Sequence, residues 1–448
     1  MDDKPVVCFL QPNFIEEVKK QESPCIQVSV FDDATVFHIR VHSTTHNGET
    51  NGYSSEIDNT KTKVLLKIFA DEDSLDDNDK IKSAVSEYFD EEKSSKSELL
   101  LMIGKISNAQ KENENSIKVY LRNMEYSEAV ECDILLQPSK ELLYSRSKGI
   151  LESRLLEKRK VAIVGLGSGG SFIAVELAKA GVGNFVLIDF DRIELNNIAR
   201  HVCGLRDLGR LKTNVLREML LNKNPFINID THATDINNIH EARKILKECD
   251  LVIAATDNVR SRLNINSIAI EYKIPTIFGK CSVRAAGGEV LRVRPNDGPC
   301  FSCVFSNQSF EASREEVSTY RQARAAQPSY VSNEDVETTI QVGLSSDIIP
   351  IGTMIVKVAL VELCRGKDSA LATLEKDLSA PYYRWANRRE QEFTAYPEDG
   401  FACFNKPSIL RWYPVEFERK KDCAACRELP NISEEDLDFF NSPKTDKP

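Results

Sequence analysis

Three groups of residues have the types and spacing to do chemistry. The first is Gly165-Leu-Gly167-Ser-Gly169-Gly170, a GxGxxG turn directly after the apolar run VAIV. In such a turn the first glycine permits the bend, the second lets backbone approach a phosphate, and the third lets helix and strand pack closely. The first amides of the helix that follows favour negative charge. Asp189 lies about 20 residues on, where a carboxylate can accept hydrogen bonds from a ribose. On these residues alone an NAD-linked oxidoreductase is the readier reading.

The second group shifts that balance. Asp189 and Asp191 are followed by Asn197, Arg200 and Lys212, and later by Asp257 in AATDNVRSRLN. Two cationic side chains near a phosphate site suit a reaction that spreads charge over phosphoryl oxygens. A carboxylate at the C-terminal end of a strand is well placed for Mg2+, which binds hard oxygen ligands. Hydride transfer needs neither. The plainer reading makes Arg200 and Lys212 solvated helix residues and Asp257 a helix N-cap.

The third group is two CxxC pairs, PCFSC with Cys300 and Cys303, and DCAAC with Cys423 and Cys426. Each pair can chelate a metal, and four thiolates favour tetrahedral Zn2+. About 120 residues separate the pairs, so spacing alone does not join them. A redox CxxC is the competing reading, but neither pair sits between a strand and a helix in the required way.

The elements that must carry these groups alternate. Strand patterns at 161–164, 185–189, 227–234 and 250–255 are interleaved with helix patterns at 172–180, 212–221, 239–247 and 258–271. Such alternation with short links predicts an α/β fold, a mostly parallel Rossmann-like sheet with helices on both faces. Residues 138–160 carry a basic helical pattern leading into the first of these strands. Residues 1–135 differ: strand-like stretches at 25–30, 34–41, 64–70 and 116–121 alternate with polar segments, so a smaller α+β or mostly β domain is expected there. No catalytic constellation stands out in it, and both a recognition role and a structural cap fit. The organisation expected is therefore an accessory domain at 1–135, a helical lead-in at 136–160, a catalytic domain at 161–426 with a crossover loop at about 304–340, and an acidic tail at 427–448.

With 448 residues, two to four domains are expected at roughly 100–200 residues each. A composition that is 41% hydrophobic and 28% charged is that of an ordinary globular protein. A net charge of -11 argues against a general nucleic-acid binder. No apolar run is long enough to span a bilayer, and no leader is apparent, so the single cysteines read as reduced thiols in a cytoplasmic protein.

The residues of the first two groups, with the CxxC pairs, resemble the E1-like adenylating family, which includes sulfur-carrier activating and ubiquitin-like activating enzymes. The resemblance runs from VAIVGLGSGG through LIDFDRIELNNIAR, the Lys212 segment and AATDNVRSRLNIN to the CxxC pairs, roughly 60% of the chain. It implies ATP and Mg2+ as reactants and a partner protein whose tail ends in Gly-Gly. The terminal carboxylate is adenylated and pyrophosphate leaves. It further implies that Asp189 binds ribose, that Asn197, Arg200 and Lys212 are the phosphate-facing and catalytic group, and that Asp257 holds Mg2+. Asn258, Arg262 and Asn266 match family positions beyond it. The two CxxC pairs then close one structural Zn2+ site. The family's arginine ahead of the glycine loop, which reaches into a second subunit, is matched by Arg146, with Arg154 as competitor; either implies a homodimer.

Some relatives pass the adenylate to a cysteine. The stretch Gln341-Val-Gly-Leu-Ser-Ser-Asp-Ile-Ile-Pro350 has none where several relatives do, and neither has the polar stretch 307–337. Cys403, in a turn-rich segment, is the first candidate for a thioester and Cys203 the second; Cys281 and Cys364 read as packing residues. A thioester would call for an E2-like partner. The front domain points towards a bacterial ubiquitin-like conjugation pathway, of the kind found in antiviral operons, or a peptide-adenylating relative. A non-catalytic E1-like scaffold is the second class, disfavoured by the presence of Arg200, Lys212 and Asp257. An NAD(P)-dependent oxidoreductase is the third, and it leaves the CxxC pairs unexplained.

Overall fold

A computed structural model describes residues 4–9, 14–19, 25–31, 36–42, 62–68, 77–89, 97–105, 115–122, 128–136, 143–147, 153–282, 285–305, 343–389 and 409–427. Contacts divide the chain into two compact units, Met1–Arg146 and Ser147–Pro448.

The first unit contains β1 (Val6–Phe9), α1 (Phe14–Lys19), β2 (Cys25–Phe31), β3 (Val36–His42), β4 (Thr62–Ile68), α2 (Asn78–Tyr88), β5 (Ser97–Lys105), β6 (Asn115–Arg122), β7 (Val130–Glu131) and β8 (Asp133–Leu136). Among the described residues they make two four-stranded sheets, ordered β2-β3-β1-β8 and β4-β5-β6-β7. The run ELLLMI makes β5 the hub. Leu99, Leu101 and Ile103 join Phe9, Phe37 and Val119 in the main core, while Leu100 and Met102 pack on Ile81 and Ala84 of α2. Alternation along a strand sends these two sets to opposite faces. Asp77 caps α2 by accepting from the amides of Asp79 and Lys80.

The second unit begins with α3 (Ser153–Leu156), then β9 (Lys160–Val164), α4 (Ser168–Lys179), β10 (Asn184–Ile188), α5 (Lys212–Lys223), β11 (Asn228–His232), α6 (Ile239–Leu246), β12 (Leu251–Ala254), α7 (Val259–Tyr272) and β13 (Thr276–Cys281). It continues with β14 (Gly287–Val293), α8 (Phe301–Val304), α9 (Ser345–Cys364), α10 (Ala370–Thr373), β15 (Tyr382–Ala386) and β16 (Arg411–Val415). Among the described residues one eight-stranded sheet runs β11-β10-β9-β12-β13-β14-β15-β16. Pairing is parallel from β11 to β13 and antiparallel from β13 to β16. The order reverses beside β9, so the crevice beyond the strand ends there is the expected ligand site of an open α/β sheet.

The sheet is covered on both faces. On one, α4, α5 and α9 bury Ile173, Leu177, Leu216, Leu220, Ile355 and Val358. Gly352 lets α9 approach α4, since a Cβ there would meet Phe172 at 2.7 Å. On the other, α6, α7 and α8 bury Ala242, Leu246, Ile265, Ile268 and Phe301. Each large side chain buried this way contributes about 1.5–3 kcal/mol, which is why the short, continuous apolar strands hold the middle of the sheet.

Two expectations change. The basic helical pattern over 138–160 resolves, among the described residues, into a 3-10 turn at Ser145–Ser147 and the single turn α3. The helix after the glycine turn starts at Ser168, not near 172. Gly169 and Gly170 fall in the first turn of that helix, and at Gly170 the nearby Gly165 carbonyl leaves no room for a side chain.

Candidate functional site

The glycine turn is shaped by its neighbours. Gly165 has φ +85°, and a Cβ on it would lie 2.8 Å from the Ala255 carbonyl oxygen. A Cβ on Gly170 would lie 1.9 Å from the Gly165 carbonyl oxygen, so α4 can begin there only without a side chain. Gly167 has nothing within 4 Å of its would-be Cβ, which leaves that backbone open to a ligand.

Asp189 follows β10 and ties the turn in place. Its carboxylate accepts from the Leu166 amide at 2.7 Å and from the Asp191 amide at 2.8 Å. Burial pushes its carboxyl above the usual range, and the nearby Lys212 ammonium and these two amides oppose that shift. Lys212 opens α5 and is 9% exposed, yet its Nζ meets the Asp191 carboxylate at 2.7 Å. Its amide also donates to the Asp191 carbonyl at 3.1 Å. A buried ammonium with one exposed acidic partner can exchange that partner for a phosphoryl oxygen at little cost.

Asn197 has a structural task in this state. Its Oδ1 accepts from the Glu194 amide at 3.1 Å, and its Nδ2 donates to Asn196 at 2.8 Å, closing the turn Leu195–Asn197. Arg200 lines a cleft of about 70 Å³ together with Ser168, Gly169, His201, Ser345 and Ile348. Residues from the first turns of α4 and α9 line it beside Arg200, and helix starts favour negative charge.

His201 was missed in the sequence, although it adjoins Arg200. It is buried, its Nδ1 accepts from the Cys203 amide at 3.1 Å, and its Nε2 lies 2.7 Å from the Leu166 carbonyl oxygen. Since Nδ1 accepts, Nε2 carries the hydrogen and donates to Leu166. Burial lowers its pKa, so the ring is neutral at pH 7. His201 and Asp189 thus hold the two polar groups of one residue, Leu166, in the middle of the glycine turn.

Asp257 lies three residues past the end of β12 and is exposed. Asn258, not Asp257, caps α7, accepting from the Ser261 amide at 2.8 Å. Among the described residues, the polar contact of the Asp257 carboxylate is a long one, 3.5 Å from Asn258 Nδ2. Arg262 is buried and donates to the Thr256 carbonyl, fixing the loop that bears Asp257. Asn266 is buried and accepts from the Phe301 amide at 3.0 Å, which anchors the first CxxC pair to α7. Arg262 and Asn266 therefore position their surroundings.

The four paired cysteines come together. Cys300, Cys303, Cys423 and Cys426 are all buried, and their sulfurs lie within 4.8 Å of one another. Separations of 3.7, 3.7 and 3.5 Å join Cys300 to Cys303, Cys300 to Cys423, and Cys303 to Cys426. Tetrahedral ligands at about 2.3 Å from Zn2+ would stand about 3.8 Å apart, so the set fits that metal. The Lys420 amide donates to Cys303 Sγ at 3.4 Å, a bond that favours the thiolate.

The other candidates divide. Cys403 lies outside the described residues. Cys203 is buried among Ile193 and Val215, and burial pushes its thiol up. Cys364 is fully buried, as a packing residue should be. Cys281 departs from expectation: it ends β13 with an exposed surface. Burial by the protein around its sulfur nonetheless pushes the thiol up to about 11, with Asp347 acting the same way and Arg200 and Arg388 opposing. Arg146 and Arg154 are both exposed on short turns.

The family model described as ThiF family matches residues 146–391. Adenylyltransferase and sulfurtransferase MOCS3 of Culex quinquefasciatus is 32% identical over 160 residues, which are 36% of this chain and 36% of that protein. Ubiquitin-like modifier-activating enzyme 5 of Caenorhabditis elegans is 28% identical over 178 residues, 37% of this chain and 42% of that one. The chain thus spans about two fifths or less of the length of these curated relatives. Among solved structures, E. coli MccB is 18% identical with a TM-score of 0.45, covering 65% of this chain and 74% of that one. No helix among the described residues is long and apolar enough to cross a membrane.

Proposed function

This chain belongs to the ThiF family, and we propose that it activates a carboxylate, transferring AMP from ATP to the C-terminus of a ubiquitin-like or sulfur-carrier protein. The observation that carries the reading is the buried Lys212 ammonium, paired with exposed Asp191 beside the Asp189-braced glycine turn. That arrangement offers phosphoryl oxygens a cation in a low-dielectric setting. A nicotinamide site has no use for it. The names of the two curated relatives support the same chemistry.

In the proposed reaction the glycine turn and the α4 amides hold the phosphates, and Asp189 receives the ribose hydroxyls. A carboxylate oxygen of the partner attacks the α-phosphorus, forming an acyl–phosphate bond. The bond from the α-phosphorus to the bridging oxygen breaks, and pyrophosphate departs with the electron pair. Lys212 and Arg200 stabilise the charge that grows on the phosphoryl oxygens. Asp257 is an exposed carboxylate with a single long contact, which fits a hard-cation ligand, and Mg2+ there would neutralise phosphate charge. Zn2+ in the four-cysteine set would be structural, as a closed thiolate site has no open position for a substrate.

The reading extends to a homodimer, in which Arg146 or Arg154 of one copy serves the site of the other. Where a thioester follows, the Cys403 thiolate attacks the acyl carbon and AMP leaves, and an E2-like protein would accept the acyl group. Burial of Cys203 and the raised pKa of Cys281 disfavour those two as nucleophiles.

The test is ATP–pyrophosphate exchange by the purified protein, with and without small β-grasp proteins ending in Gly-Gly. Exchange that depends on one such protein is expected. Absence of exchange with every partner, together with tight binding of NAD(P), would overturn the reading in favour of an oxidoreductase.

A further inference from the structure

A backbone turn that holds phosphates must show them its amides and keep its carbonyls turned away, because a carbonyl oxygen carries negative partial charge. Two carbonyls in this turn need such control. That of Gly165 faces Gly170, where a Cβ would lie 1.9 Å from its oxygen. That of Leu166 lies 2.7 Å from Nε2 of His201.

The second contact fixes more than an oxygen. The peptide joining Leu166 to Gly167 is trans, so its carbonyl and its N–H point in opposite directions. With the carbonyl held on the imidazole, the Gly167 N–H is sent away from the ring. Among the described residues that N–H has no acceptor. A Cβ on Gly167 would meet nothing within 4 Å, so the backbone there is open to a ligand. The preceding peptide is fixed separately, by the Leu166 amide donating to Asp189 at 2.7 Å.

His201 is itself well held. It is 9% exposed and lines the small cleft with Arg200, Ser168 and Ser345. Its backbone amide donates to the Asn197 carbonyl at 2.8 Å, and its Nδ1 accepts from the Cys203 amide at 3.1 Å. The two ring nitrogens therefore serve different things: Nδ1 holds the ring's own loop, and Nε2 reaches across to the glycine turn.

We infer that His201 is a positioning residue for the nucleotide: by holding the Leu166 carbonyl it keeps the Gly167 N–H available to a phosphoryl oxygen, and so sets the affinity for ATP. This rests on the adenylation reading and adds a residue to it. His201 does not touch the reacting atoms. Without its donor the peptide is free to rotate and bring the carbonyl round towards the phosphates. A contact made equally before and during the reaction shows in KM and leaves kcat alone.

The experiment titrates ATP with Mg2+ into the full-length protein by calorimetry, which needs no partner, and adds KM and kcat from pyrophosphate exchange with a Gly-Gly protein. His201→Gln places an amide nitrogen near imidazole Nε2 and restores the donor to Leu166. His201→Asn places an oxygen near Nδ1 and restores only the acceptor for Cys203. ATP affinity should fall about 10-fold in His201→Asn and His201→Ala, the worth of one well-placed hydrogen bond, and stay within about 3-fold in His201→Gln. KM for ATP should follow, with kcat within about 3-fold throughout. Rescue by asparagine and not by glutamine would show that the ring only holds its loop, and would overturn the inference while leaving adenylation standing. Unchanged affinity in all three variants, or a loss confined to kcat, would do the same. Melting of each variant checks that it is folded. In the unaltered protein, ATP should also slow hydrogen exchange of the amides at 166–169, and exchange there that ignores ATP overturns the inference without any variant. An unaltered protein that binds no ATP overturns both readings.

Discussion

The parallel half of the large sheet, β11 to β13, and its antiparallel half, β14 to β16, handle polar residues in opposite ways. In the parallel half the middle strands are apolar and buried on both faces, and the polar groups stand beyond the strand ends: Asp189 after β10, Lys212 at the start of α5, Asp257 after β12. In the antiparallel half the polar groups are in the strands themselves. Every residue of β14 is buried, yet Glu289 and Arg292 are among them. Arg292 donates to the Ser379 carbonyl at 3.0 Å, and its neighbour Arg294 pairs with Glu362 and Glu375. The difference teaches that chemistry at strand ends is insulated from the fold, whereas polar groups inside strands are part of it. A change at exposed Asp257 should therefore cost activity without stability, whereas Asp189 also braces the glycine turn. Changes in the antiparallel half and its cysteine anchor should cost stability first.

The sharpest test of the insulated half is Asp257→Ala. Asp257 is exposed and caps nothing, because Asn258 does the capping. Pyrophosphate exchange should fall by about 10³-fold or more, as losing a charge-stabilising group in a phosphoryl site does. Melting should stay within about 2 °C. Retained exchange would remove Asp257 from the metal-binding role, and a large drop in melting would break the claim of insulation.

The opposite outcome is expected at the anchor. Replacing Cys300 and Cys303 together by serine removes two of four buried ligands. One equivalent of zinc should be lost, with about 3 kcal/mol or more of stability. That corresponds to roughly 6–12 °C of melting for a unit of this size. Metal content by emission spectroscopy and calorimetry give the two readings. Unchanged metal and melting would sink the zinc assignment and with it this side of the contrast.

How much of this was legible in the sequence follows the same division. The glycine turn, Asp189 and Asp257 were readable because each sits at a local landmark, a glycine pattern or the stretch just past a strand, and Lys212 as a cation downstream of them at the start of a helix pattern. Pairings across the chain were not. That Lys212 meets Asp191, and that His201 and Asp189 grip the two ends of Leu166, depends on loops folding back. Asn197 was expected to face phosphate, but its carboxamide closes a local turn. Strand β14 gave no alternation to read, since GGEVLRV is buried on both faces. In such a run Glu289 looks like an ordinary charged residue. The cysteine pairs lie too far apart for spacing to join them, and only the resemblance and then the folded distances did so. Cys281 read as packing because it follows an apolar strand; it is the last residue of that strand, and there it surfaces.

The smallest expected effect, and the finest probe of the boundary between the halves, is the pH dependence of the Leu166 brace. His201 is neutral when folded, and burial holds its pKa below the ordinary 6.5. A lowered folded pKa means the unfolded chain takes up the proton first as pH falls. Stability from His201 is therefore fully present above about 6.5 and is lost as pH drops towards the folded value. Protonation would also place a hydrogen on Nδ1, where the Cys203 amide now donates, and break that bond. In His201→Gln this titration is gone. Measured by melting between pH 7.5 and 5, the wild-type advantage over the variant should shrink as the pH falls. Asp189 bends the profile the other way, because its folded pKa is raised and its contribution grows as pH falls. It does so in both proteins, so the difference between them isolates the histidine. An advantage independent of pH would mean that His201 acts only through its packing, and that the glycine turn is held by Asp189 alone.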